Sequence, residues 1–210
     1  MSRRRSSPRA PASRIASQQA RGRLRLIGGR FKRRLLPVLD SPGLRPTPDR
    51  VRETLFNWLA FDIAGSRVLD LYAGTGALGL EALSRGADEA IFVERERAVA
   101  RQLRDNLTTL GVTADVIECD ALGYLHLPPA AAFDVVFLDP PFHQDLATPS
   151  CMRLEAGGWL NETALIYVEV EAELALRVPD NWQLHRHTRA GESQACLYRR
   201  MPLAAATADA

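Results

Sequence analysis

The sequence predicts an α/β fold in which helices cover both faces of a mostly parallel, twisted sheet. Two observations support this prediction. Short apolar strands alternate with helical patterns from residue 66 onward, as in chains built from strand-helix-strand units. The last two strands are separated only by Gly191-Glu192, which predicts a C-terminal antiparallel hairpin. A hydrophobic content of 46% is enough to build a core of this size.

The N-terminal part predicts a small β-hairpin extension and then a helix. "RGRLRLIGG" and "FKRRLLPV" alternate basic and apolar residues around Gly28-Gly29, which indicates two short strands with arginines on one face. The helix is predicted to begin with Thr47 as N-cap, Pro48 at its first position and Asp49 in its first turn. Its apolar stripe consists of Val51, Leu55, Trp58 and Leu59.

The rest of the chain supplies the main sheet and its helices. A helix is predicted over "ALGLEALSRGA" with a stop at Gly86, and another over residues 96–110 with a stop at Gly111. The predicted strands, in chain order, are "RVLDLY", "EAIFVE", "TADVIECD", "FDVVFLD", "TALIYVEVE", "WQLHRHTR" and "SQACLYRR". The domain boundaries that follow are a disordered basic tail (1–20), the hairpin extension (21–46), the main domain (47–200) and a flexible C-terminal tail (201–210).

Charge is distributed unevenly along the chain. Residues 1–50 contain 14 Lys and Arg and 2 acids, whereas the remaining residues contain 13 bases and 23 acids. A basic block on an otherwise acidic chain favours a polyanionic partner, since neutralising phosphates releases condensed counterions. For residues 1–20 a solvated tail without a partner is an equal alternative. The arginines and lysine predicted to contact RNA phosphate are Arg30, Lys32, Arg33, Arg34, Arg45, Arg50 and Arg52.

Other classes of protein are disfavoured by what the sequence does not contain. No stretch approaches the roughly 18 to 20 apolar residues of a membrane span, and the N-terminus has no signal-peptide pattern. We therefore expect a soluble, cytoplasmic protein. Cys119, Cys151 and Cys196 show no CxxC spacing, so neither a disulfide framework nor a metal site is expected.

A glycine-rich turn follows the first main strand. In "DLYAGTGALGLE", Gly74, Gly76 and Gly79 form the G-x-G-x-x-G pattern, which suits a dinucleotide as well as S-adenosylmethionine. Asp70 precedes this turn and would repel a pyrophosphate, whereas S-adenosylmethionine carries an ammonium and a sulfonium. Glu94 is then expected at the ribose hydroxyls. Asp120 is expected at the adenine amino group, with a helix N-cap as the alternative.

The motif "DPPF" ends the strand "FDVVFLD". The carboxylate of Asp139 and a carbonyl near Pro140 can accept the two hydrogens of an exocyclic amino group and so aim its lone pair at a methyl donor. Pro140 and Pro141 fix the backbone, and Phe142 offers a face on which an extruded base can stack. The alternative, a strand stop followed by a turn, does not explain the accompanying Glu94 and Asp120.

With these motifs the chain resembles class I, Rossmann-like S-adenosylmethionine-dependent methyltransferases, and more narrowly the bacterial RsmD family. That family methylates N2 of guanine(966) in 16S ribosomal RNA. The segments that carry the resemblance are "IGGRFKRRLLPV", "DSPGLRPTPDRVRETLFNWL", "DLYAGTGALGLEALSRGA", "FVE", "DPPF" and "ALIYVE".

The resemblance implies roles for particular residues and a cellular context. Catalysis falls to Asp139, Pro140, Pro141 and Phe142, and cofactor binding to Asp70, Tyr72, Gly74, Gly76, Gly79, Glu94 and Asp120. Tyr72 stands where the family more often has Phe, and "FKRR" replaces a more common basic run. The resemblance also implies action as a monomer on ribosomal RNA, within the small subunit or an assembly intermediate, without a metal.

The residues themselves leave three other functions open. Adenine N6 in DNA or RNA is an amino group of the same kind, so "DPPF" chemistry alone does not choose between it and guanine N2. A dinucleotide-dependent oxidoreductase, or an RNA-binding protein without catalysis, could also retain this fold.

Overall fold

The computed structural model describes residues 22–39 and 49–202. The expected N-terminal tail, the helix cap at Thr47 and Pro48, and most of the expected C-terminal tail lie outside these ranges. The strands are β1 (Gly22–Arg25), β2 (Leu35–Val38), β3 (Arg67–Asp70), β4 (Glu89–Val93), β5 (Asp115–Ile117), β6 (Phe133–Leu138), β7 (Leu160–Glu171), β8 (Trp182–Ala190) and β9 (Ser193–Arg200). The helices are α1 (Asp49–Trp58), α2 (Ala77–Ser84), α3 (Arg97–Leu110), α4 (Ala121–Tyr124) and α5 (Ala147–Ala156).

The main sheet confirms the predicted fold class. Its strand order is β5-β4-β3-β6-β7-β9-β8. The strands from β5 to β7 pair in parallel, whereas β9 pairs antiparallel with both β7 and β8. The C-terminal hairpin turns at Gly191-Glu192 as predicted, with Gly191 at φ +61°. β1 and β2 form a separate antiparallel pair, the predicted N-terminal hairpin.

Two apolar cores lie on opposite faces of the sheet. One contains side chains of α1, α2, α3 and the N-terminal hairpin, packed on inward residues such as Val68, Phe92 and Phe137. The other lies beneath α4 and α5 and contains Leu69, Ile91 and Val136. Because side chains alternate across a strand, neighbouring residues of the same buried strand supply both cores.

The hairpin explains why α2 is buried on all sides. Every residue of α2 is buried, although a helix on the outside of a sheet would normally show one face to water. One side of α2 packs on the sheet. The other lies beneath the N-terminal extension, which contributes Leu24, Leu26 and Leu36 to the same core. The extension is therefore packed onto the main domain and continuous with its core.

The ends of the helices follow from local sequence. α3 ends at Gly111, which adopts φ +67° and lets the chain leave the last turn in the left-handed conformation. α3 contains 14 residues.

Within residues 22–39 and 49–202, no helix has the length and apolar character needed to cross a bilayer.

Candidate active site

The two motifs singled out from the sequence meet at one edge of the sheet. β3 pairs with β4 on one side and with β6 on the other, so the strand order reverses at β3. The crevice outside such a switch point is where open α/β sheets bind ligands. The glycine turn follows β3 and "DPPF" follows β6. Asp70 is in register with Phe137, two residues before Asp139, so the structure brings both motifs to this crevice.

The glycine turn is shaped by two close approaches. Gly76 has φ +76° at the N-cap of α2, and a Cβ there would lie 2.4 Å from Leu103 Cδ1. A Cβ at Gly79 would lie 2.2 Å from Phe92 Cε1, so this glycine lets α2 pack directly on β4. The last glycine of the motif therefore serves helix-sheet packing, as in dinucleotide-binding turns.

Asp70 is a buried carboxylate at the end of β3, with 2% of its surface exposed. Its Oδ2 accepts a hydrogen bond of 2.9 Å from the backbone N–H of Gly79. Burial raises the pKa of Asp70 to about 7, against the lowering effect of the Gly79 hydrogen bond and with a further raising effect from Glu94. The site therefore disfavours added negative charge and would be stabilised by a positive one.

Glu94 follows β4 and holds the glycine turn from the other side. Its Oε2 accepts the N–H of Gly74 at 2.8 Å, and its Oε1 accepts the N–H of Glu96 at 2.7 Å. The side chain is 9% exposed. Glu94 therefore holds the glycine turn through its hydrogen bond with Gly74. Its position beside Gly74 is also compatible with the predicted role in cofactor binding.

Asp120 and Tyr72, which were also predicted to bind the cofactor, form hydrogen bonds within the protein. The carboxylate of Asp120 accepts the Gly123 N–H at 2.7 Å and caps α4, which confirms the N-cap alternative. Asp120 is exposed, so the cap leaves its outer side accessible. The hydroxyl of Tyr72 lies 2.7 Å from that of Ser150 on α5, and burial raises the pKa of Tyr72.

The "DPPF" loop is held from the neighbouring strand. Asp139 and Phe142 are half-buried, and Pro140 is buried. The next residue, His143, adopts φ +60° and donates its backbone N–H to the carboxylate of Glu171, the last residue of β7. His143 Nδ1 also lies 3.3 Å from Glu171. Sequence reasoning missed this anchor, because nothing near the motif indicates a partner 28 residues away.

Most of the predicted phosphate-contacting side chains lie on the surface. Arg30, Lys32, Arg33 and Arg34 are exposed in and beside the loop between β1 and β2, and the guanidinium of Arg30 lies over the ring of Phe31 at 4.5 Å. Arg50 is exposed at the start of α1. Arg45 lies outside the described residues.

Arg52 is a correction to the sequence prediction. Its side chain is 1% exposed, so it does not face a phosphate backbone. Nη2 donates to the carbonyl of Arg25 at 3.0 Å and to Asp49 Oδ1 at 2.6 Å, which ties α1 to β1. The helical period explains the burial, since Arg52 precedes the buried Leu55 and Phe56 by three and four residues and shares their face.

A polar clamp on α2 fixes the basic hairpin in place. Glu81 has no exposed surface, and its carboxylate accepts the N–H groups of Ile27 at 2.8 Å and Gly28 at 2.7 Å. It also forms an ion pair of 2.7 Å with Arg85. Ser84 donates to the carbonyl of Gly28 at 2.6 Å. The only sequence signal for this clamp is an acid within the apolar run "ALGLEALS".

The chain is similar to one protein family, to several named proteins and to solved structures. The family described as "Conserved hypothetical protein 95" matches residues 24–199. The chain is 50% identical over 190 residues to "Ribosomal RNA small subunit methyltransferase D" of Escherichia coli strain K12, covering 90% of this chain and 96% of that protein. The protein of the same name from Haemophilus influenzae is 47% identical and is covered to 98%, with 88% of this chain aligned. The solved structure of Escherichia coli yhhF superimposes with a TM-score of 0.81 at 47% identity, covering 87% of this chain and all of that one.

Proposed function

Because this chain belongs to the RsmD family, the family described as "Conserved hypothetical protein 95", we propose that it methylates the exocyclic N2 of a guanine in small-subunit ribosomal RNA, using S-adenosylmethionine. The relatives' names give the RNA and the reaction class. The choice of guanine N2 rests on the family resemblance described above.

One observation supports the reaction class most directly. The carboxylate-bearing "DPPF" loop leaves the sheet at the strand beside the glycine turn, at the position where the strand order reverses. A methyl donor bound against the turn and a base bound against Asp139 would therefore share one crevice. Neither motif alone carries this inference.

The charges at the crevice fit S-adenosylmethionine better than a dinucleotide. Asp70 and Glu94 are two carboxylates at the ends of adjacent strands, and the raised pKa of Asp70 reflects the cost of negative charge there. A pyrophosphate would add to this cost, whereas an ammonium or sulfonium would offset it. Asp70, Glu94, Asp120 and the glycine turn are the residues that would hold the donor. Bound S-adenosylmethionine supplies a methyl group on a positively charged sulfur and leaves as S-adenosylhomocysteine.

The residues of the "DPPF" loop would orient the amino group. Its nitrogen is a poor nucleophile, because the lone pair is delocalised into the ring. Asp139 and the carbonyl of Pro140 accept its hydrogens, localise the lone pair and stabilise the positive charge that develops on nitrogen. Asp139 or water then takes the proton. Phe142 stacks on the extruded base, a contact worth roughly 1 to 3 kcal/mol.

The basic hairpin would position the RNA beside this crevice. The exposed charges of Arg30, Lys32, Arg33 and Arg34 contact phosphate, and the clamp at Glu81 keeps that surface fixed relative to the glycine turn. We place the substrate within the small subunit or its assembly intermediate, and the protein acts as a monomer without a metal.

The decisive experiment is transfer of labelled methyl from S-adenosylmethionine to small subunits that lack the modification, to naked ribosomal RNA and to DNA. The labelled nucleosides are then identified. We expect N2-methylguanosine from the small-subunit RNA. N6-methyladenosine would replace the proposal by the adenine alternative. Binding of NADH without binding of S-adenosylmethionine would indicate an oxidoreductase, and binding of neither would indicate an RNA-binding protein without catalysis.

A further inference from the structure

A second carboxylate lies beside the "DPPF" loop. Glu169, near the end of β7, is buried with 6% of its surface exposed. β6 and β7 are parallel, and Leu138 is in register with Val168, so Asp139 and Glu169 are the next pair along the two strands. Adjacent strands lie about 4.8 Å apart, and paired residues of parallel strands point to the same face. Both carboxylates therefore project on one side of the sheet at the crevice.

The ring pair below them supports this placement. Phe137 and Tyr167 precede Asp139 and Glu169 by two residues each and meet edge to face, with centroids 6.4 Å apart. The hydroxyl of Tyr167 donates to Glu169 Oε2 at 2.9 Å. Burial, followed by the charges of Glu169 and Asp139, raises the pKa of Tyr167 well above its ordinary value. Tyr167 therefore stays protonated and holds Glu169 in a fixed orientation.

Within the described residues, one hydrogen bond from a neutral donor compensates the burial of Glu169. Taking a carboxylate out of water costs several kcal/mol unless a cation or several hydrogen bonds compensate. Among the residues that the structure describes, the hydrogen-bond partner of the Glu169 side chain is the neutral phenol of Tyr167, and no Lys or Arg forms an ion pair with it. Tyr167 donates to Oε2 alone, which leaves the carboxylate able to accept a hydrogen bond from a ligand.

The chemistry of the two candidate bases differs at the atom next to the amino group. In guanine the N2 amino group adjoins N1–H, so two neighbouring donors face outward. In adenine the N6 amino group adjoins a bare N1, which is an acceptor. Enzymes that extrude a base read this edge by hydrogen bonds. Two neighbouring carboxylates match the donor pair of guanine, whereas the second would repel the N1 lone pair of adenine.

We propose that Glu169 is a specificity-determining residue that accepts the N1–H of the target guanine while Asp139 accepts a hydrogen of its N2 amino group. This inference rests on the proposed function and deepens it, because it accounts for guanine rather than adenine as the substrate. Tyr167 acts as a positioning residue through Glu169.

The test uses 2-aminopurine, which keeps the N2 amino group but has no hydrogen on N1. It is placed at the methylated position of the RNA that the wild-type protein accepts. Since a site built to bind a donor rejects an analogue that lacks it, wild-type kcat/KM should fall by roughly 100-fold or more. In Glu169→Gln the amide can rotate and donate to the bare N1. The preference for guanine should then shrink to about 10-fold or less.

Controls separate specificity from folding. Glu162→Gln alters an exposed acid on the same strand and should keep the wild-type preference. Tyr167→Phe retains the carboxylate but removes its anchor, so the preference should weaken in the same direction. Glu169→Gln should keep the wild-type affinity for S-adenosylmethionine. If it does not fold, Tyr167→Phe decides the question, because 2-aminopurine also lacks O6 and wild-type discrimination alone does not isolate the contact at N1.

The outcomes distinguish this inference from the proposed function. If the wild-type protein methylates no guanine at N2, the proposed function fails. If it methylates guanine but accepts 2-aminopurine equally well, or if Glu169→Gln slows both substrates by the same factor, only the role of Glu169 is overturned. In the last case Glu169 would be a structural residue of the crevice.

Discussion

The substitution Asp70→Asn tests the electrostatics of the crevice in the ligand-free protein. Burial raises the pKa of Asp70 from 3.8 to about 7, so between these values the folded protein holds a proton that the unfolded chain has released. The contribution of Asp70 to the free energy of unfolding is therefore greatest below about pH 3.8 and is lost as the pH rises toward 7. Asparagine keeps an acceptor for the Gly79 N–H but does not ionise.

The magnitude follows from the size of the shift. One pKa unit corresponds to about 1.4 kcal/mol, so a shift of about three units corresponds to about 4 kcal/mol across the full range. Asp70 is almost fully buried, so solvent screening does not reduce this figure. Over the more accessible interval from about pH 5 to pH 8, the free energy of unfolding of Asp70→Asn should rise relative to wild type by about 2.5 kcal/mol.

The assay is urea unfolding of both proteins at several pH values, without cofactor. Asp88→Asn, at an exposed acid before β4, is the matched control and should run parallel to wild type. If the Asp70→Asn and wild-type curves also run parallel between pH 5 and 8, Asp70 does not carry the raised pKa, and the preference of the crevice for a cationic ligand loses its support.

Three other variants test catalysis and RNA binding. Asp139→Ala should lower kcat by roughly 1000-fold or more while leaving the Kd of S-adenosylmethionine unchanged, because the contact of Asp139 with the amino group strengthens only as the reaction proceeds. Single-turnover kinetics measure the rate, and calorimetry measures the Kd. Glu81→Gln leaves a buried N–H of the hairpin poorly satisfied, at a cost of about 1 to 3 kcal/mol, and should weaken RNA binding but not cofactor binding. The double change Arg33→Glu with Arg34→Glu should weaken RNA binding and lower its logarithmic salt slope by about two.

Each of these has an outcome that contradicts it. Normal turnover by Asp139→Ala would show that the amino group is oriented by other atoms. If Glu81→Gln unfolds more easily but binds RNA as wild type does, the clamp stabilises the hairpin without positioning RNA. Unchanged affinity of the double arginine variant at low salt would remove the hairpin loop from the RNA surface.

The sequence predicted most of the elements correctly, because their signals are local. Strand and helix periodicity, the stop at Gly111 and the turn at Gly191 depend on residues within one or two turns of each other. The positions of Asp70 and Asp139 at strand ends were equally readable, since glycines and prolines mark where those strands stop. The Asp120 cap was among the stated alternatives for the same reason.

Arg52 shows where local reasoning fails. An arginine among other arginines was predicted to face RNA, but its burial depends on which side of α1 packs against β1, which charge alone does not specify.

What the sequence determined by itself is the chemistry that is available: an acid before a glycine turn, an acid before two prolines and a basic N-terminal block. What only the tertiary structure decided is which groups act together. Glu81 holds a backbone turn more than 50 residues away, Glu171 holds the loop after Phe142, and Glu169 comes beside Asp139 through strand register. Such contacts join segments that are distant along the chain. They arise from packing and register, which one stretch of sequence does not contain.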